Sequence, residues 1–347
     1  MKKKINEVLK IFPGLIFALV IAFVAQWIEK QLPIHLIGAS VIALFIGMVI
    51  NHFWKPQILT VGLKFTSKKV LKFAIILLGA SLSIGTVLTV GKLSLVVMIF
   101  TLLTCFGGGY FIGKALGLNW KLSNLISAGT GICGGSAIAA LAPVIDADDS
   151  DVAYAMSATF LFDMAMIVLF PIMGRAMELS DMAYGLWTGT AVNDTSSVVA
   201  AGFAYSEAAG DFATMVKLTR TLSIIPVVII FAFINARLKQ KEARVQGSTE
   251  KVTAGERIHF TSLFPWFILG FLALAIINSF GVIPTAVSVG AKSLSKFLMV
   301  TALAAIGLNT SFKQVRKSGA APMFHGFIIS ALVVIVAIAV EYCMGIV

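Results

Sequence analysis

The chain has 347 residues, of which 59% are hydrophobic and only 12% are charged, against roughly 25% charged residues in soluble proteins. A soluble core of this length cannot bury so much apolar surface, so the composition excludes most soluble enzymes and predicts an all-α polytopic membrane protein. The net charge of +11 does not imply a nucleic-acid partner, because basic residues of membrane proteins concentrate in cytoplasmic loops.

Hydrophobic windows of about 20 residues, the length that crosses a bilayer, recur along the chain. We predict about 10–11 transmembrane segments in one domain over 1–347, with 237–259 as a basic cytoplasmic loop. With the N-terminus inside, 21 of the 27 Lys and Arg residues fall on the cytoplasmic side, which predicts a multi-pass protein of the cell (inner) membrane. The predicted segments are 11–29, 34–52, 70–90, 93–113, 124–144, 151–173, 184–203, 212–236, 262–281, 285–310 and 320–345.

Two of these segments carry signs of interruption. Segment five holds four glycines within 129–135, each costing about 1 kcal/mol against Ala in a helix interior. The motif 189–200 of segment seven aligns with 129–140 of segment five at an offset of 60 residues, matching Gly129 with Gly189 and Ser136 with Ser196. We predict two interrupted or re-entrant helices with inverted-repeat pseudo-symmetry; charge counting does not decide whether they span or re-enter. Gly79 and Gly307 suggest a second, weaker pair in another register.

Interrupted helices in a membrane leave backbone groups unpaired, which is tolerated where protein or a watery cavity surrounds them. Paired broken helices at the midplane are typical of secondary transporters, whose half-helix N-termini attract anions while free carbonyls coordinate cations. The alternative is that the small residues only let helices pack closely. The predicted substrate-binding residues are Thr130, Gly131, Cys133, Gly134, Gly135, Ser136, Asn193, Asp194, Thr195, Ser196 and Arg220.

Ionisable residues inside apolar segments are functional candidates, because a charge in a bilayer is costly. Asp163 and Asp194 are such residues, and with Asn309 they are the predicted ion-coupling residues. Lys217 and Arg220 share a helical face. If their helix begins near Phe212, Arg220 approaches the midplane and offers a fork to an anion; if it begins at Thr221, both cations lie at the interface.

The chain resembles the YeiH-like family of bacterial inner-membrane proteins, whose label is sulfate export. The resemblance rests on 78–85, on the motif 129–140, of which 129–136 is the specific part, and on 189–197. It implies a transporter of roughly ten or eleven helices, without a settled set of ligand residues.

We therefore expect a secondary transporter, an exporter of a small inorganic or organic anion such as sulfate, working by alternating access at a midplane site. A sodium-coupled symporter of an anionic solute is the alternative, and an intramembrane hydrolase using Asp163 and Asp194 ranks lower; we do not expect an enzyme. No cluster of His, Cys or carboxylate residues has the spacing of a metal site, so no metal is predicted, and no cofactor is expected. Substrate, coupling to Na⁺ or H⁺, direction and homo-oligomer formation are left open.

Overall fold

The protein is described by a computed structural model covering residues 10–31, 39–54, 57–245, 266–309 and 320–347, which contain helices and turns and no β-strand. π-helical turns at Thr66–Val70, Thr104–Gly108 and Gly129–Cys133 interrupt or join the helices. The α-helices are α1 (Phe12–Gln31), α2 (Ala39–Phe53), α3 (Thr60–Phe65), α4 (Leu71–Gly79), α5 (Ile84–Leu103), α6 (Gly109–Ala115), α7 (Trp120–Ala128), α8 (Gly135–Leu141), α9 (Asp149–Ala176), α10 (Asp181–Ala191), α11 (Thr195–Tyr205), α12 (Glu207–Thr221), α13 (Ile224–Val245), α14 (Trp266–Ser279), α15 (Thr285–Asn309) and α16 (Ala320–Cys343).

Six helical stretches are long and apolar enough to cross a membrane, so the chain is an all-α polytopic membrane protein. The apolar helices α2 and α14 are shorter, and the two predicted interrupted segments are divided into helices of 7 to 11 residues. The continuous stretches are Phe12–Gln31, Ile84–Ala115, Ser150–Ala176, Glu207–Lys239, Thr285–Asn309 and Ala320–Cys343.

The predicted boundary between segments three and four is wrong. The chain turns at 80–83, and residues 91 and 92 lie inside α5. Ser83 caps α5 by accepting a hydrogen bond from the Thr86 amide at 3.1 Å, whereas Lys92 is exposed on the helix surface. The capping serine therefore marks the true start of α5.

The second predicted glycine pair serves helix packing. A Cβ on Gly79 would lie 2.3 Å from the Phe271 carbonyl oxygen, and a Cβ on Gly307 would lie 2.1 Å from that of Leu44. These glycines let α4 approach α14 and let α15 approach α2, as small residues commonly do in membrane bundles. Neither belongs to a broken helix within the described residues.

The helices form two bundles. The first bundle contains α1 to α4, α14 and α15, and the second contains α5 to α13 and α16. Both predicted interrupted segments belong to the second bundle. The bundles are joined along one edge by two ion pairs from α15 to α12, Lys292 to Asp211 at 2.5 Å and Lys296 to Glu207.

Candidate functional site

Segment five is a re-entrant hairpin, because its two ends lie on the same side of the protein. The Lys121 ammonium at the start of α7 donates to the Asp146 carbonyl beyond α8 at 2.6 Å, and the Asn119 amide donates to the Asp151 carboxylate at 3.2 Å. Asp146 also pairs with Lys239 at the end of α13, and this hydrogen bond holds the pKa of Asp146 below its ordinary value. We call this the Asp146 side.

Segment seven is a second hairpin, made of α10 and α11. The Ser206 hydroxyl after α11 donates to the Asp181 carboxylate at the start of α10 at 2.6 Å, and the Tyr205 hydroxyl donates to the Leu179 carbonyl at 2.5 Å. The 28 residues of α9 join the two hairpins and span about 42 Å at 1.5 Å per residue. This second hairpin therefore enters from the opposite side, which we call the Asp181 side.

The tips of the two hairpins meet. Hairpin one breaks at Gly134, whose φ of 65° is in the left-handed region, and hairpin two breaks at 192–194, where Val192 and Asp194 are extended. A Cβ on Gly134 would lie 3.1 Å from the Asp194 Cβ. The offset of 60 that aligns the two motifs places position 134 over position 194, so the breaks are equivalent positions that face each other. Matching hairpins that enter from opposite sides are what an inverted repeat predicts.

Two buried cations from α12 bind the carbonyls that the breaks leave open. Lys217 donates to the carbonyls of Ile132 and Val192 at 2.7 and 2.9 Å. Arg220 donates to the carbonyls of Gly131 at 2.7 Å, Thr130 at 2.8 Å and Val192 at 3.3 Å. Both side chains are 0% exposed. In each hairpin the first helix, α7 or α10, which we call the leading half-helix, ends at the tip with partial negative charge. Lys217 and Arg220 neutralise both of these ends from within the protein.

Two carboxylates, Asp163 and Asp194, accept hydrogen bonds at the tip of hairpin two. We call the place where the two tips meet the crossing. Asp163 of α9 accepts the amides of Asn193 and Asp194 at 2.9 and 3.2 Å. Asp194 caps α11 by accepting the Ser196 amide at 2.8 Å and the Ser196 hydroxyl. Both carboxylates therefore hold backbone amides at the tip of hairpin two.

A cavity of about 890 Å³ separates the two bundles at the crossing. The second bundle contributes hydroxyls and both carboxylates to its wall, and the first bundle contributes the lysines Lys68 and Lys72. Its wall includes Pro143 and Ser157, which are near the Asp146 side. The cavity therefore runs from the hairpin tips toward the Asp146 side, away from the ion pairs between α12 and α15.

The structure divides the predicted site residues into two groups. The cavity wall contains Cys133, Gly135, Ser136, Asp163, Asp194, Thr195, Ser196 and Asn309. The remaining predicted residues lie in the crossing behind that wall and are Thr130, Gly131, Gly134, Asn193 and Arg220.

Arg220 is buried behind the cavity wall and does not line the cavity. Its helix begins at Glu207, five residues earlier than our starting point of Phe212, so Arg220 lies about 20 Å along it. The alternative in which the helix begins at Thr221 and both cations lie at the membrane interface is also wrong. The helix begins at Glu207, and both Lys217 and Arg220 are fully buried. The guanidinium holds backbone carbonyls and does not reach the cavity wall.

Sequence reasoning missed three residues of the site. Lys68 and Lys72 were counted as orientation signals, although their i, i+4 spacing places them on one helical face. Ser330 of α16 contacts the Asn193 amide at 3.4 Å and the Thr130 hydroxyl at 3.5 Å. No sequence signal marks Ser330, because a lone serine in an apolar helix is common and its partners are 137 and 200 residues away.

Comparison with known proteins finds sequences related to this chain. The family model described as Conserved hypothetical protein 698 matches residues 13–326. A UPF0324 membrane protein of Clostridium tetani is 57% identical over 96% of this chain and 97% of its own length. UPF0324 membrane proteins of Streptococcus mutans and Streptococcus pyogenes serotype M18 are each 38% identical, over 96% and 97% of this chain and 97% and 98% of their own lengths. These similarities include both hairpins and α12.

Proposed function

The chain belongs to the Conserved hypothetical protein 698 family of UPF0324 membrane proteins, which agrees with its YeiH-like resemblance, and we propose that it is a secondary transporter of a small anion. In this proposal the substrate binds in the cavity between the two bundles, against the hairpin tips. Sulfate is the first substrate to test, because the family resemblance suggests it.

The observation that carries the proposal is the meeting of two re-entrant hairpins at a polar cavity. Broken backbone inside a membrane is stable only where protein or water satisfies it, and here the tips lie at the boundary between two bundles. Ser136 of hairpin one and Thr195 of hairpin two both line the cavity. A substrate at this position touches both hairpins and the facing bundle, as alternating access requires.

The charges of the described residues favour an anion. At the crossing, the cations Lys217 and Arg220 balance the carboxylates Asp163 and Asp194 when both are ionised. Lys68 and Lys72 on the facing wall have no carboxylate partner among the described residues. The cavity therefore carries a positive surplus, which attracts an anion most strongly where water is limited.

The same balance supplies a coupling mechanism. A proton taken up by Asp163 removes one negative charge from the wall and leaves the crossing with a net positive charge. Anion affinity then rises with protonation, and by linkage anion binding favours proton uptake to the same extent. We propose that proton and anion move together through Asp163, which is one of the residues that line the cavity.

Alternating access needs one closed side and one open side. The cavity extends toward the Asp146 side, while Lys292 to Asp211 and Lys296 to Glu207 join the bundles near the Asp181 side. We propose that these two ion pairs break when the cavity opens to the Asp181 side. The hairpins would remain paired during this motion, because Lys217 and Arg220 hold both tips together.

Transport is tested by reconstituting the purified protein in liposomes and following exchange of labelled sulfate, with a panel of oxyanions and carboxylates as competitors. We expect exchange above protein-free liposomes for at least one anion, reduced in Lys72→Gln. The matched control is Lys92→Gln, which removes an exposed lysine of α5 with the same change in net charge. Absence of exchange across the panel, under imposed pH and sodium gradients, would refute the transporter.

The sodium-coupled alternative has one observation in its favour. Asp194, Thr195 and Asn309 line the same cavity, and their side chains contain oxygen, the ligand that hard cations prefer. Sodium coupling predicts flux that depends on sodium and a sodium-specific rise in thermal stability that Asp194→Ala abolishes. Proton coupling predicts flux that follows the pH gradient with choline as the sole monovalent cation.

A further inference from the structure

The five hydrogen bonds from α12 to the hairpin tips have a function of their own. Lys217 is the group that joins the hairpins most evenly, with one short bond to Ile132 of hairpin one and one to Val192 of hairpin two. We propose that Lys217 is a positioning residue whose ammonium occupies the place of a coupling cation at the crossing. The inference rests on the proposed transport function, and it adds that the site assembles without sodium.

The two broken helices have a polarity that determines which ions their ends attract. Each leading half-helix ends at the crossing with carbonyls that have no helical partner, and these ends carry about half a negative charge each. Transporters with discontinuous helices use such carbonyls to coordinate Na⁺ or H⁺. Here Lys217 and Arg220 already bind the carbonyls of residues 130, 131, 132 and 192. An added cation at these oxygens would meet two fixed positive charges.

Lys217 and Arg220 differ in what they contribute. Arg220 binds mainly hairpin one, through the carbonyls of Gly131 and Thr130, and its longer bond of 3.3 Å goes to Val192. The Lys217 ammonium is a compact charge with three donors on a flexible stem. Because its acceptors come from both hairpins, its removal leaves two carbonyl oxygens facing a vacated space of cation size. That space is suited to a small cation supplied from solution.

The experiment compares wild type, Lys217→Ala and the control Lys92→Ala in two assays. The first is thermal unfolding in detergent with sodium, methylammonium or choline chloride at equal ionic strength. The second is anion exchange in proteoliposomes. We expect the wild-type midpoint to be the same in sodium and choline. Removing one partner from a buried charge network is strongly destabilising, so we expect Lys217→Ala to lose more than about tenfold in exchange. We expect methylammonium or sodium to restore both the unfolding midpoint and the exchange.

Two results would overturn the inference. One is a wild-type protein whose unfolding midpoint rises specifically with sodium, which shows that a cation is still needed; this arm requires no variant and stands even if Lys217→Ala does not fold. The other is a folded Lys217→Ala protein that exchanges anions like Lys92→Ala, or whose midpoint no small cation raises. Because the midpoint is measured without transport, its outcome separates failure of this inference from failure of the proposed function.

Discussion

Gly134 provides the sharpest test of the crossing, through the substitution Gly134→Ala. Its φ of 65° and ψ of −133° are open to glycine and strained for any residue with a Cβ. The added methyl would lie 3.1 Å from the Asp194 Cβ and 3.2 Å from its Oδ1. The substitution therefore strains hairpin one and displaces the cap of hairpin two at the same time.

The magnitude follows from these two effects. A residue held in a disfavoured backbone region costs about 1–3 kcal/mol, which lowers the population of the paired crossing roughly 5- to 150-fold. The contact with Asp194 adds to this cost unless the carboxylate moves, and movement would break its hydrogen bonds to Ser196. We expect Gly134→Ala to unfold at a lower temperature than wild type and to lose most of its anion exchange.

The control is the neighbouring substitution Gly135→Ala. A Cβ at position 135 meets no atom of the described residues within 4 Å, and Ala in a helix is favoured over Gly by about 0.5–1 kcal/mol. We therefore expect Gly135→Ala to unfold at the wild-type temperature or slightly above it. If both variants unfolded at the same temperature and Gly134→Ala exchanged anions normally, the tight contact between the hairpin tips would be refuted.

Three further predictions concern the cavity and its closed side. Asp163→Asn removes the charge while keeping one acceptor for the tip amides, so we expect exchange to persist and its dependence on an imposed pH gradient to disappear; a persisting dependence would place coupling elsewhere. Asp211→Asn weakens the Asp181 side by about 1 kcal/mol, the value for partly exposed ion pairs. The double substitution Asp211→Lys with Lys292→Asp should restore the wild-type unfolding midpoint. If its midpoint were no higher than that of Asp211→Asn, a direct ion pair would be contradicted. In a background without native cysteines, Ser136→Cys should react with a membrane-impermeant thiol reagent from the Asp146 side alone, and labelling only from the other side would contradict the direction of the cavity.

The parts of this protein that the sequence predicted are those in which a residue type itself carries the physics. Four glycines close together and the run from Asn193 to Ser196 are incompatible with ordinary lipid-facing helices, so the two breaks were predicted. Asp163 and Asp194 stood out because a bilayer makes each ionised carboxylate costly. The offset of 60 residues between the motifs also placed the two break positions in register.

The remaining features depend on tertiary contacts that leave no mark on single residues. Lys217 and Arg220 were visible as charges, but their partners are backbone carbonyls, which every residue possesses. Lys68 and Lys72 were hidden by the positive-inside pattern, because a lysine that orients a helix and a lysine that lines a cavity are the same residue type. Re-entry was undecided for a similar reason, since the change of one basic residue between sides is too small a signal.

The order of the chain gives the hydrogen bonds of Lys217 and Arg220 a consequence for biosynthesis. Both hairpins precede α12 in the chain, so their tips are synthesised before Lys217 and Arg220. Until α12 arrives, the carbonyls at the breaks lack the cations that satisfy them, and a bilayer supplies no substitute. The crossing is therefore completed only when α12, which carries two positive charges into the membrane, packs against the tips. A nascent chain that stops before residue 217 leaves the carbonyls of both tips without these cations.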